Sequence, residues 1–160
     1  MTTAWLKPSL ENEHLACHAA VLLKSYTRWT GASLIDPAHP VREQARRLFY
    51  APFAVLSHNA DPDPIFNYGN QTALLLFELS WEELIGLPSR TSAEPVHRGE
   101  RERLLTTVAR QGYIDDYRGV RITKSGRRFL IERATVWNLL GEDGAFSGQA
   151  AMFGEWTFLK

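Results

Sequence analysis

The order in which periodicities follow one another constrains this chain more than any single motif. Two short strand-like segments come first, "FAVLSH" and "PIFNYG", then a run of broken helices, then three longer strand-like segments, "GYIDDYRGVRIT", "RRFLIERATVWNLL" and "QAAMFGEWTFL". Helices gathered between two groups of strands suit an antiparallel sheet with helices on one face, an α+β plan. The prolines and aspartates of "NADPDP" make the first pair a hairpin, and the turn "KSG" and loop "GEDGAFSG" make the last three a meander.

Between the strand groups, the leucine-rich helix over residues 70–79 is followed at once by a second that restarts at Ser80. Ser80 can accept from the backbone N–H of Glu83, Glu83 can reach back to Ser80, and Gly86 and Pro88 stop the turn. Two short helices at an angle wrap around something, so Leu76, Phe77, Trp81 and Leu84 are expected to face one enclosed space. A third helix over residues 96–110 carries Leu104, Leu105 and Val108 as its apolar stripe.

Upstream, from Leu10, the spacing of Leu15, Ala19, Leu22, Tyr26 and Trp29 predicts an amphipathic helix stopped by Gly31. Pro40 opens another, with Val41, Ala45, Leu48 and Phe49 on one face. In "RRFLIERATVWNL", strict alternation sets Phe129, Ile131, Thr135 and Trp137 on one face and Leu130, Ala134 and Val136 on the other. Neither face is cleanly polar. The N-terminal helix, or a second copy of the chain, must cover one of them, and a homodimer built on that helix is the expected assembly.

The chain has 160 residues, 44% of them hydrophobic, which is enough for one core and too little for two. It is therefore expected to be a single domain over 1–160, with a helical extension over 1–40 and a core over 41–160. Lys+Arg and Asp+Glu are both 18, so there is no field to gather nucleic acid or anionic lipid, and any partner is chosen by shape. The single cysteine, Cys17, excludes an intrachain disulfide. No signal-peptide pattern opens the chain and no apolar run nears the ~20 residues of a membrane span, so a cytoplasmic location is expected.

An asparagine closing the second strand, an alanine three residues on, a leucine-rich turn and then "SWEELIG" is similar to the PAS sensory-domain pattern. More specifically, the segment from "APFAVLSHNADPDP" to "GLPSR", with "GYIDDYRGVRITKSGRRFLIERATVWNLL" and "GQAAMF", resembles the MEKHLA family over residues 41–156. That PAS-like domain occurs as a stand-alone bacterial protein, the form expected here, and at the end of plant homeodomain-leucine-zipper proteins. The resemblance implies a PAS-like five-stranded antiparallel sheet with short helices on one face, enclosing a cavity. It implies a cytoplasmic sensory or regulatory module that binds a small molecule or a protein partner without catalysis of its own. The alternatives are a small cofactor-dependent redox enzyme using the same cavity and a dimerisation or adaptor domain with a filled core. Tyr68, Asn70, Ser89, Arg90, Tyr117, Trp137 and Gln149 are the expected lining groups, since polar or aromatic residues at strand and helix ends orient a ligand in an apolar cavity.

The cofactor stays open. "GLPSR" resembles the light-sensing PAS segment that carries a photoactive cysteine, but Ser89 stands in that position, and Ile131 stands where an asparagine is expected, which disfavours flavin-thiol photochemistry. Arg90 would meet a phosphate or carboxylate, or pair with a local acid such as Glu94. Haem would need an axial ligand, and His97, set among Arg98, Glu100 and Arg101, reads as solvated. His58 reads as a structural hydrogen-bonding group before a ligand contact. "HLACH" gives His14, Cys17 and His18 metal-ligand spacing on a helix, without a fourth ligand, so no metal is expected. Asp115 and Asp116, adjacent in a strand, point to opposite faces and do not cooperate.

Overall fold

The computed structural model describes residues 5–93 and 98–160. Its centre is an antiparallel sheet of β1 (Ala54–His58), β2 (Phe66–Gly69), β3 (Tyr113–Ile122), β4 (Arg128–Leu140), β5 (Phe146–Phe153) and β6 (Trp156–Phe158), in the order β2-β1-β5-β4-β3 with β6 also on β4. The hairpin is β1–β2 and the meander β3–β4–β5. The last segment, read as one strand, divides after Phe153: β5 pairs Thr135 to Leu140 of the long β4, and β6 takes up Phe129 to Ile131 on the same edge.

Two irregularities overturn the strict alternation expected of β4. Gly119 pairs with Ile131 and Tyr117 with Ala134, so two steps on β3 face three on β4, and Arg133 takes a left-handed φ of 56°. Ile114 then pairs with Val136, which places the compensating extra residue at Asp115–Asp116. A bulge of this kind inverts the facing of every residue beyond it. Ile131, Ala134 and Val136 therefore share one face, whereas Trp137 points to the other.

That other face is covered by α1 (Ala16–Thr30), which stops at left-handed Gly31 as the sequence predicts. Its start is later than Leu10, because Glu13, His14 and Leu15 all have φ above +50° and break the helical path. Ala19 and Leu22 are fully buried. The Trp137 indole donates to the Leu22 carbonyl at 3.1 Å, the Trp29 indole donates to the Asn138 carbonyl at 2.9 Å, and Ser25 Oγ accepts from the Leu140 N–H at 2.9 Å. Gly112, at φ 89°, lies flat under Trp29, where a Cβ would come within 2.4 Å of the indole. The helix expected to supply a dimer face thus spends its apolar stripe on its own sheet.

α2 (Val41–Phe49) buries Ala45, Leu48 and Phe49 but leaves Val41 exposed, outside the expected stripe. On the opposite side of the sheet, α3 (Gln71–Phe77) is capped by Asn70, and α4 (Trp81–Leu84) begins with the reciprocal Ser80–Glu83 capping box read from the sequence. All four of the expected apolar residues are buried in the core, though their side chains do not turn the same way. Phe77 meets Phe129 at 5.2 Å, while Trp81 turns away to Tyr68 and donates to the Trp5 carbonyl at 2.9 Å. A 3₁₀ turn (Ser89–Ser92) leads on to α5 (Arg98–Gln111), which buries Val108; the expected start at Val96 lies outside the described residues. No helix among the described residues is long and apolar enough to cross a membrane.

Candidate functional site

The face of the sheet opposite α1 carries a cavity of about 540 Å³, bounded by the β1–β2 turn, the 3₁₀ turn and α5. Its apolar wall comes from Leu56, Ile131, Ala134, Val136 and Phe153, with Leu104 across from them. The bulge in β4 makes this wall, since without it Ala134 and Val136 would face α1.

Four of the seven expected residues come together here: Ser89, Arg90, Tyr117 and Gln149. The Ser89 N–H donates to the Pro64 carbonyl at 2.9 Å, tying the 3₁₀ turn to the hairpin. Arg90 is exposed and holds Asp63 with two nitrogens, at 3.1 and 3.4 Å, on the hairpin turn. Glu94, the partner considered from sequence, lies outside the described residues, as does His97. Tyr117 is buried, with the Arg121 guanidinium 5.7 Å from its ring centre. Gln149 donates from Nε2 to Asn138 Oδ1 at 3.2 Å, and Asn138 Nδ2 donates to the Val108 carbonyl at 3.3 Å.

His58 also lines the cavity. Its Nδ1 lies 2.8 Å from the Asn59 carbonyl. Burial holds its imidazole below the ordinary value although hydrogen bonds to Asn59 and Gln149 pull the other way. Arg121 was missed from sequence, yet the signal was present: it stands two and four residues beyond Gly119 and Tyr117, on the same side of a period-two strand. Phe146, exposed at the rim, was missed too, because it sits in what reads as a loop.

Asn70, Trp137 and Tyr68 lie elsewhere. Asn70 is fully buried and makes four side-chain hydrogen bonds: Oδ1 accepts from the N–H of Val55 and Ala73, and Nδ2 donates to the carbonyls of Leu48 and Phe53. It has no capacity left for a ligand. Trp137 faces α1. Tyr68 does so as well, because the register shifts between Ser57 and His58 and leaves Asn67 as an extra residue.

Around Tyr68 a second polar group is enclosed. His18 Nε2 lies 2.9 Å from Ser57 Oγ, and Ser57 in turn donates to Asn67 Oδ1 at 2.5 Å, so neutral His18 supplies its Nε2–H to the serine. The rings of Trp5 and Tyr68 stand 4.6 and 5.6 Å from the imidazole, and this burial pulls His18 down to about 4. The Tyr68 hydroxyl is buried with no hydrogen-bond partner among the described residues, and burial pushes its phenol well above the usual range. His14 is on the left-handed turn before α1 and Cys17 is exposed, so "HLACH" does not present its three side chains on one helical face.

The family model for the MEKHLA domain matches residues 16–158. The chain is 29% identical over 143 residues to the homeobox-leucine zipper protein ATHB-14 of Arabidopsis thaliana. It is 25% identical over 139 residues to the homeobox-leucine zipper protein HOX9 of Oryza sativa subsp. japonica. These alignments take in 85% and 86% of this chain, which spans only 16% of the length of either relative. Among solved structures, the PAS domain of a protein from Colwellia psychrerythraea aligns with a TM-score of 0.61 at 18% identity, over 74% of this chain and 96% of that one. An RNA-binding Light-Oxygen-Voltage receptor aligns at 0.62 with 16% identity, over 78% of this chain and 36% of that one. At these identities the likeness shows the fold, which is PAS-like.

Proposed function

We propose that this chain, which belongs to the MEKHLA domain family and has a PAS-like α+β fold, is a sensory or regulatory module that binds a small molecule and performs no catalysis itself. The observation that carries this reading is the cavity of about 540 Å³, apolar along the sheet with polar groups gathered at the β1–β2 and 3₁₀ turns, which falls within the size range of small-molecule sites. Ser89, Arg90, Tyr117, Gln149 and His58 are the groups proposed to orient the ligand. The finer readings from sequence belong to the same proposal: the stand-alone bacterial form, a cytoplasmic location and a homodimer. With α1 committed to its own sheet, a homodimer would use other surfaces, and sedimentation at high micromolar concentration tests it.

Native mass spectrometry of the gently purified protein is the direct experiment. A small mass retained with the chain, and lost on filling the cavity by Ala151→Phe, supports the module. The bare polypeptide mass from protein grown in several media would instead support an adaptor domain. A visible absorption spectrum separates the redox-enzyme reading, since oxidised flavin or haem would colour the protein. The Ser89 hydroxyl at the cavity wall cannot form a flavin thioether, and the only thiol, Cys17, lies across the sheet on α1.

A further inference from the structure

The distribution of charge and length in the cavity narrows the kind of ligand, given that the cavity is a ligand site as proposed above. Gln149 pairs with Asn138 of β4 and Arg121 with Phe129, nine positions further along the same strand. Their backbones are separated by on the order of 30 Å of strand at about 3.3 Å per residue. Both nonetheless line one cavity, Arg121 because its side chain runs back over Tyr117. The space is therefore elongated along β4. Gln149, Asn59 and His58 mark one end, with Asp61 and the Arg90–Asp63 pair on the turns beside them, and the Arg121 guanidinium marks the other, with Leu56, Ile131, Ala134, Val136 and Phe153 between.

The charges are not equally committed. Arg90 holds Asp63, and Asp61 stands on the exposed turn. Arg121 is half-buried, and among the described residues its side chain makes one hydrogen bond, an Nη1 donation to the Val120 carbonyl at 3.3 Å. Among the described residues no carboxylate lies within 4.0 Å of it. A guanidinium offers five N–H donors in a planar fork that matches a carboxylate, and one drawn out of water gains most from such a partner. The rim adds a third observation. Phe146 and Leu105, two of the chain's large exposed apolar side chains, both border the opening, where an apolar ligand would enter.

We infer that the cavity takes an elongated amphipathic anion, a straight-chain monocarboxylic acid. The hydrocarbon body lies along β4, and the carboxylate is held by the Arg121 fork over Tyr117. The body supplies affinity through apolar burial, and Arg121 supplies selection for the charged head.

Isothermal titration of the full chain tests this with three probes below their micellar concentrations: decanoate, decanamide and acetate. Decanoate should bind one per chain and at least tenfold more tightly than decanamide, and acetate should not bind measurably. Arg121→Gln should abolish the difference by weakening decanoate at least tenfold, and Arg121→Lys should keep part of it. Thermal melts of both variants check that the fold survives, as a half-buried edge-strand position allows. Equal affinity for decanoate and decanamide would overturn the anionic head while leaving the cavity a ligand site. A decanoate preference untouched by Arg121→Gln would overturn the assignment of the head. Binding of none of the three would overturn both this inference and the ligand-site reading under it.

Discussion

Replacing Asn70 tests whether this residue holds the fold or contacts a ligand, and the structure sets the magnitude. Asn70→Ala strips partners from two backbone N–H groups and two carbonyls at a fully buried position. Loss of the α3 cap on the Ala73 N–H costs about 1 kcal/mol. The Val55 N–H, left buried, costs about 1–3 kcal/mol, and each carbonyl adds roughly half to one. The expected loss is therefore about 4 kcal/mol, a large share of the stability of an ordinary domain. Asn70→Asp separates the two halves of the side chain. It keeps the acceptor for Val55 and Ala73 but turns a carboxylate oxygen on the carbonyls of Leu48 and Phe53, so near pH 7 it should be at least as damaging as alanine. Protonation restores one donor, so its deficit relative to the wild type at the same pH should shrink as the solution is acidified.

Urea unfolding followed by circular dichroism is the assay, and the midpoint should fall with the slope unchanged. A loss under about 1 kcal/mol for Asn70→Ala would refute the reasoning, because the buried Val55 and Ala73 N–H groups cannot lose their shared acceptor so cheaply. A stable variant that had instead lost its retained small mass would return Asn70 to the ligand role that the sequence assigned it.

Four further outcomes follow from named residues and contacts. His18, neutral and held at about 4 against an ordinary 6.5, contributes stability that is complete above pH 6.5 and is lost as pH falls toward 4, by up to about 3 kcal/mol at 1.36 kcal/mol per unit. Subtracting the urea-stability profile of His18→Gln should isolate that slope from those of His58 and His14, whose imidazoles burial also holds below the ordinary value, and parallel profiles from pH 7 to 4 would contradict it. Ser80→Ala should cost about 1 kcal/mol and the Ser80→Ala, Glu83→Ala pair less than the sum of its singles, since each residue caps the other; additive losses would exclude the box. Blue light on protein supplied with flavin should give no bleaching of the flavin band and no thioether, a result checked by spectroscopy and intact mass. Deleting residues 1–30 should uncover Trp137 and the surface beneath α1 and cause aggregation, whereas a well-behaved folded monomer would show that α1 is dispensable cover.

How far the sequence could be read depends on which physical signal carried each feature. Local chemistry was fully legible: the Ser80–Glu83 box, the Gly31 stop, and the Pro40 opening depend only on residues within one turn of each other. The order of elements was legible because hydrophobic period separates strand from helix over eight or more residues. What the period could not carry was parity. One added residue at Arg133 turns Trp137 toward α1 and Ala134 and Val136 toward the cavity, and another at Asn67 turns Tyr68 away from it. The lining groups chosen on the 3₁₀ turn, on β3 and on β5 reached the cavity, while Tyr68 and Trp137, chosen for their positions near strand ends and set beyond a bulge, did not. Asn70 stays out of the cavity for a different reason: its position at a strand-to-helix junction suggested availability, but the same junction presents it with two backbone N–H groups and two carbonyls, and the asparagine bonds to all four. In this fold, then, a polar residue at the end of an element is as often the means of closing that element as it is an open hand to a ligand. The distinction turns on counting the backbone donors and acceptors that surround it.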